Sequence, residues 1–318
     1  MGFLAMSSLP LVSVIIPTYN RAEVIADTID NVFSQTYKNI ELILVDDGST
    51  DHTEAVLRSY DSRIRVITQT NAGPAAARNR GFEASHGSII AFQDSDDLWD
   101  PTKLERQVGL LSHFGEPVPC CLCNATYTAA IGKHHTSFEN AGLRPQQEEG
   151  LWTNVAEVLA TRFVLFNQTA AIRRAVLERL GTFDEGLKYL EDYDLPLRLA
   201  AEGPWAFIRS PLVTYRLGTA NSYAQKAAGD PKLFKECEIA ILERALAAAE
   251  SSGVPRLHRL LQSRLKRARR LMFSAKLGRS SSAAGQGVGA LLRGIENIRE
   301  KAFRRSPWYP KAETAPLN

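Results

Sequence analysis

Several things are scarce in this sequence, and each scarcity removes a class of protein. No apolar run in the 318 residues approaches the roughly 20 needed to cross a bilayer as a helix. The opening MGFLAMSSLP has no basic n-region and too short an apolar stretch for a secretory leader, and Met6 stands where a myristoylation pattern requires Ser or Thr. Cytoplasmic residence is therefore the expectation. The only cysteines are Cys120, Cys121, Cys123 and Cys237. Three of them crowd into VPCCLCNATY without the paired C-x-x-C spacing of zinc sites, so they read as small apolar residues of a buried strand. Reduced thiols suit a cytosolic protein. Two glycine signatures are missing as well. Without G-x-G-x-x-G after the first strand a dinucleotide-binding Rossmann site is disfavoured, and without G-x-x-x-x-G-K-[ST] a P-loop is disfavoured.

What is present is a globular composition, 44% hydrophobic and 23% charged, with chain enough for one large or two small domains. Charge is unevenly placed. Of 38 Lys+Arg and 35 Asp+Glu, residues 254–318 hold 15 and 3, leaving 23 and 32 for residues 1–253. An acidic body of −9 thus carries a basic tail of +12, which suggests two jobs.

The first half alternates strand and helix signals. Residues 11–16 (LVSVII) form the continuous apolar run of a strand buried on both faces. Residues 22–34 read as a helix with Ile25, Ile29, Val32 and Phe33 on one face. There follow a strand over 40–45 (IELILV), a short helix capped by Asp51, a strand over 64–68, a small-residue helix over 74–85 and a strand over 88–93 (SIIAFQ). Asp100-Pro101 predicts an N-cap and a first-turn proline opening a helix to Phe114. This order predicts an α/β fold, a mostly parallel sheet with helices on both faces. Further on, 134–150 reads as a polar loop, 163–172 as a strand, 192–201 as a helix, and 206–208 and 212–217 as two short strands. After Ser222 the strand signals stop and long helical patterns take over, interrupted near Gly253-Val254-Pro255 and by 278–289.

Three polar clusters fall just after predicted strands, where ligands bind in open parallel sheets. They are PTYN (residues 17–20), DDGSTD (46–51) and DSDD (94–97). Turn chemistry accounts for any one alone; three at equivalent strand ends ask for more. On an extended segment Asp94 and Asp96 point the same way, and two unpaired carboxylates together invite a cation. Mg²⁺ commonly takes one or two carboxylates plus substrate phosphates. The alternative is a solvated acidic run before a helix. NAGPAAARNRG (71–81) puts Arg78 and Arg80 near a helix start, a setting that suits a pyrophosphate, or else simply a helix packed tightly on the sheet. Glu191-Asp192 at a helix start is either a general base or an acidic pair favoured by the dipole.

Taken in order, VSVIIPTYNR, LILVDDGSTD, NAGPAAARNRG, AFQDSDDLWDP and FDEGLKYLEDYDLPLRL closely resemble family 2 glycosyltransferases of the GT-A fold, over roughly residues 11–217. The resemblance implies a catalytic domain over 1–221, with nucleotide-sugar binding in 11–124 and the acceptor and base region in 125–221, followed by a basic helical region over 222–318. It implies a UDP- or dTDP-sugar donor, inversion, and Mg²⁺ or Mn²⁺. Pro17, Thr18, Tyr19 and Asn20 would line the base and ribose pocket. The Asp46-Asp47 pair would hydrogen-bond the pyrimidine, with Asp47 making the direct contact. Arg78 would lie near the diphosphate. Asp94, Ser95 and Asp96 form the D-x-D element, with Asp96 the direct metal ligand and Asp94 a ribose or outer partner. Asp192 would be the catalytic base. His113, His134 and His135 have no motif context and read as surface or loop residues.

In the tail, residues 254–279 hold nine Lys+Arg and no acid, and Leu257, Leu260, Leu261, Leu265, Ala268, Leu271 and Met272 recur at helical spacing. Such a helix can lie on an anionic membrane or pack its apolar face on the catalytic domain. Arg304-Arg305 with Trp308 and Tyr309 adds an interfacial note, and nothing matches a nucleic-acid reader. Building a surface or extracellular polysaccharide from a saccharide or lipid-linked acceptor is the leading expectation. A nucleotidyltransferase and a non-catalytic nucleotide-sugar binder are the alternatives.

Overall fold

The computed structural model describes residues 9–131, 134–216, 230–252, 254–278 and 311–316. The features read in residues 1–8, 217–229 and 279–310, among them the Arg304-Arg305 and Trp308-Tyr309 pair, lie outside these. Strand β1 (Val12–Thr18) sits at the centre of the sheet, parallel to β2 (Ile40–Asp46) on one side and β4 (Ile89–Phe92) on the other, with β3 (Arg65–Thr68) parallel to β2 at the edge. Helices α1 (Ile25–Phe33), α2 (Thr53–Arg58) and α3 (Pro74–Ala84) make the crossovers.

The period of two along β1 explains why its run is apolar on both faces apart from Ser13 and the terminal Thr18. Val12, Val14 and Ile16 enter the core shared with α1 and with α4 (Lys103–Phe114), while Ile15 enters the core on the opposite face. Both faces are covered, and the one polar residue inside the run, Ser13, donates to Glu41 Oε1 at 2.5 Å and accepts from the N–H of Gly87 at 2.8 Å. Helix α3 lies close on the sheet. A Cβ at Gly81 would come 2.4 Å from the Ile15 side chain, which is why that helix is built of small residues.

Beyond β4 the sheet turns mixed. β9 (Ala170–Arg173) is antiparallel to β4, β6 (Cys120–Ile131) antiparallel to β9, and β10 (Trp205–Tyr215) parallel to β6. β8 (Glu149–Trp152) and β11 (Thr314–Pro316) close the far edge, and β5 (Leu98–Trp99) and β7 (His134–Thr136) pair off the main path. The four cysteines are free and buried, as expected of small apolar residues.

Several boundaries differ from the sequence reading. The stretch 134–150 is not a loop: it holds β7, α5 (Ser137–Ala141) and the start of β8, and Thr136 and Glu139 form a reciprocal capping box. Helix α4 starts at Lys103 rather than Pro101, because Asp100 accepts from the backbone N–H of Thr102 at 2.9 Å and closes a turn first. Of 163–172 only β9 is strand, preceded by a 3-10 turn over Asn167–Thr169. The two short strands over 206–217 are one strand, β10, with register shifts around Pro211. Strand structure also returns after Ser222, as β11 on β8.

Helices α6 (Val155–Leu159), α7 (Arg174–Leu180) and α8 (Glu191–Leu199) cover the β9 side. The tail forms two long helices, α9 (Pro231–Ser252) and α10 (Pro255–Gly278), packed on each other and on α6 and α8. Leu260, Leu261, Leu265 and Ala268 of α10 are buried with Leu242, Ala249 and Ala160. Among the described residues no helix is long and apolar enough to cross a membrane.

Candidate active site

The carboxyl ends of β1, β2 and β4 open into a cleft of about 870 Å³. Pro17, Thr18, Tyr19, Asn20 and Arg21 come to it from β1. Asn20 takes a left-handed conformation (φ 51°), which its short polar side chain tolerates. Its Oδ1 accepts from the N–H of Thr50 at 2.8 Å, and its own N–H donates to Ser49 Oγ at 2.9 Å. PTYN and DDGSTD are thereby stapled together.

The Asp46-Asp47 pair divides its work. Asp46 accepts from the N–H of Ser49 at 3.0 Å; it shapes its own turn and is not among the residues lining the cleft. Asp47 does line the cleft, and its carboxylate accepts from Gln69 Nε2 and from the N–H groups of Ala72 and Gly73, at 2.8–2.9 Å. It thus fixes the loop that opens α3. From α3, Pro74, Ala77 and Arg78 line the cleft, and of its two arginines only Arg78 does so; Arg80 faces solvent and pairs with Glu83.

The DSDD segment is a turn, not an extended strand, with the N–H of Asp97 donating to the Asp94 carbonyl at 3.3 Å. Asp94, Ser95 and Asp96 nevertheless all line the cleft. Nor are the two outer carboxylates unpaired. Asp94 meets Arg78 at 2.8 Å and Asp96 meets Arg21 at 3.7 Å, so arginine offsets the repulsion that seemed to demand a cation. Asp97 turns away and is buried, accepting from Gln168 Nε2 at 3.0 Å and the N–H of Arg216 at 2.9 Å. Burial and the nearby Asp94 push its carboxyl well above the usual range.

Glu191 and Asp192 open α8 on the opposite wall. Leu190 just before them holds φ 69°, a conformation costly for a branched side chain and typical of places where the backbone must aim functional groups. Arg78 joins the two walls. Its guanidinium, almost wholly buried, donates to Asp94 at 2.8 Å and to Glu191 at 3.2 Å. Burial would depress the cation, but Asp94 and Glu191 outweigh it. Asp192 is half-buried, within reach of water but closely surrounded by protein. Burial and the adjacent Glu191 push its pKa up to about 8, with Arg78 pulling the other way.

For a divalent ion, the carboxylates available are Asp96 and Asp94. Among the described residues no group of three or more His, Cys, Asp and Glu is placed to hold a metal. Two carboxylates without a closed cage fit an ion that takes its remaining ligands from a bound diphosphate. A second cavity of about 400 Å³, between α1 and β3 and lined by Phe33, Tyr37 and Arg63, lacks such a carboxylate set.

The cleft's far side was not foreseen in the sequence. Phe163, Tyr189 and Tyr215 line it, and α9 and α10 add Phe234, Glu238 and Arg264. The basic tail is thus part of the cleft wall.

The sequence profile described as Glycosyl transferase family 2 matches residues 13–181, more than half of the chain. The chain belongs to glycosyl transferase family 2. An uncharacterized glycosyltransferase of Rickettsia typhi is 32% identical over 213 residues, a match that covers 67% of this chain and 66% of that relative's length. Staphylococcus aureus TarS 1-349, in complex with UDP-GlcNAc, superposes with a TM-score of 0.65 at 18% identity, over 94% of this family 2 chain and 82% of that one. The mannosyltransferase PcManGT of Pyrobaculum calidifontis, in complex with GDP-Man and Mn²⁺, gives 0.52 at 22% identity, over 93% and 89%. At these identities the two structures establish the GT-A fold. They also show that proteins of this fold hold nucleotide sugars, one of them with a divalent ion.

Proposed function

We propose that this family 2 chain moves a sugar from a UDP-sugar to a hydroxyl of a saccharide acceptor, with inversion, in the synthesis of a cell-surface or extracellular polysaccharide at the cytoplasmic face of the membrane. The observation that carries the proposal is the placement of Asp192 on one wall and Asp94 and Asp96 on the other, with Arg78 tying the walls together.

Tyr19 and Asn20 with Asp47 hold the base and ribose, and Arg78 stands where a diphosphate meets the start of α3. A divalent ion, Mg²⁺ or Mn²⁺, held by Asp96 with help from Asp94, would supply Lewis-acid stabilisation to the departing diphosphate. Asp192 accepts the proton of the acceptor hydroxyl as its oxygen bonds to the anomeric carbon. The bond from that carbon to the diphosphate oxygen breaks on the opposite side, so the anomeric centre inverts. Leu190 and Glu191 orient Asp192 for that task.

Within residues 254–318, α10 would reach an anionic membrane chiefly by charge, since Leu260, Leu261, Leu265 and Ala268 of its apolar face are buried in protein. The test of the main reading is a panel of nucleotide sugars assayed for binding and for release of free sugar, with and without Mn²⁺. Metal-dependent sugar release is expected. Pyrophosphate release from a sugar phosphate and nucleoside triphosphate would point to a nucleotidyltransferase, and binding without turnover to a non-catalytic protein.

A further inference from the structure

Three aromatic side chains in the far wall of the cleft have no place in the core. Phe163, Tyr189 and Phe234 line the cleft, and none belongs to any of the four buried apolar clusters. Phe163 is 37% exposed, and Tyr189 and Phe234 are half-buried. Their rings are arranged in tilted pairs: Tyr189 with Phe234 at 6.3 Å between centroids, Phe163 with Tyr193 at 6.4 Å.

Docking of α9 does not require Phe234. That helix is held by Ile241 and Leu242 in the core and by Arg244, which pairs with Asp184 and with Asp194. Phe234 lies two turns closer to the N-terminus, where its ring contact among the described residues is with Tyr189.

Polar groups accompany the rings. Asn167 is 4% exposed, lines the cleft, and its Oδ1 has no hydrogen-bond partner among the described residues. A buried acceptor left unmet is costly, so a ligand donor at this wall would be favoured. Glu238, one turn after Phe234, also lines the cleft.

These features select the ligand. An aromatic face carries negative charge density and attracts polarised C–H groups. A pyranose presents such C–H groups on its faces and hydroxyls on its rim. An acyl chain would leave Asn167 unmet. An anionic group would confront Glu238, and Arg264 is already bound to Glu238, to the Tyr193 hydroxyl at 2.5 Å and to the Leu159 carbonyl at 3.2 Å. Tyr189 lies three residues before Asp192, so a ring resting on it would offer its hydroxyls near the base.

We infer that Phe163, Tyr189 and Phe234 form the platform for the acceptor's neutral pyranose ring, with Asn167 and Glu238 as hydroxyl partners. The inference rests on the transferase reading above and names its acceptor subsite.

Saturation-transfer NMR on the full chain tests it, with UDP and Mg²⁺ present and methyl pyranosides of glucose, galactose, mannose and N-acetylglucosamine as probes. At least one pyranoside should receive saturation at its ring C–H protons. Phe234→Leu and Tyr189→Leu, which keep apolar volume but remove the aromatic face, should each weaken that binding roughly 2–10-fold. UDP binding should stay at the parent level and certifies the fold of each variant. UDP bound but no pyranoside bound by the parent overturns the subsite, as does pyranoside binding unchanged in both variants. Absence of UDP binding in the parent overturns the transferase reading and this inference with it.

Discussion

Replacing Arg78 with methionine tests whether the cleft is held together electrostatically. The side chain of Arg78 is 6% exposed, that of Glu191 7% and that of Asp94 27%. Methionine keeps much of the stem but leaves Glu191, Asp192 and Asp94 facing one another without their shared cation. Removing one partner of a buried ion pair costs about 3–5 kcal/mol. With an unfolding entropy of about 2.1 cal/mol/K per residue, that is a fall of roughly 4–7 °C in melting temperature for a chain of 318 residues. The sign of the pH dependence follows. Arg78 lowers the Asp192 pKa, so without it that carboxyl holds its proton still more tightly when folded than when unfolded, and its contribution to stability is fully present below the ordinary carboxylate pKa and is lost as pH rises. The gap between variant and parent should therefore widen from pH 5 to pH 8. Differential scanning calorimetry without metal or nucleotide measures it. Adding Glu191→Gln to the variant should recover part of the loss, and the double-mutant cycle reports the coupling. A variant that melts with the parent at both pH values refutes the bridging role.

Other outcomes follow from the same site. Because the Asp192 pKa stands at about 8 and the base acts ionised, kcat/KM should rise with pH along a limb ending near 8. Asp192→Asn should remove that limb, lower transfer roughly 10²–10⁴-fold and leave UDP affinity unchanged; transfer at the parent rate rejects the assignment. The same variant should melt higher than the parent, by more at pH 8 than at pH 5, since the parent loses stability as pH rises towards the raised pKa. Asp96→Ala should abolish the metal dependence of UDP binding, and calorimetry giving the parent equal UDP affinity with and without Mn²⁺ rules out that role. The full chain should co-sediment with anionic vesicles at low salt, release at high salt and ignore neutral vesicles; equal, negligible sedimentation with both vesicle types excludes charge-driven docking.

The parallel half of the fold was legible because its inner strands β1, β2 and β4 are covered on both faces, which leaves nearly unbroken apolar runs such as VSVII in β1; the edge strand β3 is largely exposed. The motifs at the ends of β1, β2 and β4 were legible for a related reason: topology places consecutive strand ends side by side. Short elements were less visible. The capping box Thr136-Ser137-Phe138-Glu139 is written in the sequence, but its helix is only Ser137–Ala141 and has no period to read. β10 looked like two strands because Arg209 and Ser210 are polar; both are tied to Glu148 beside the register shift at Pro211. Within the site, Asp46 and Asp47 are indistinguishable by type, and only the backbone path sends one into its own turn and the other toward α3. The far wall left no local signal. Phe234 and Arg264 lie 42 and 72 positions beyond Asp192 and reach the cleft only through helix packing.

The charge split between body and tail also takes a different meaning once the helices are in place. Read along the chain, an acidic body and a basic tail suggest two separate jobs. In the fold, three of the tail's arginines face acids of the same chain. Arg256 pairs with Glu157 at 3.2 Å, Arg264 with Glu238 at 3.2 Å and Arg269 with Glu243 at 2.6 Å. The exposed pairs among these contribute little each. Arg264 is different, being partly buried and bonded to two elements of the body as well as to Glu238. Burial alone would raise the Glu238 carboxyl, yet Arg264 and Lys235 hold it below the usual range, so it is anionic where it lines the cleft. A tail that only buried its leucines could slide along the body at little cost. Arg264 contributes to its register, because a shift breaks its bonds to the Leu159 carbonyl, the Tyr193 hydroxyl and Glu238 together. The same contact sets Phe234 and Glu238 at the cleft, so the tail's basic character and the shape of the far wall have a common cause.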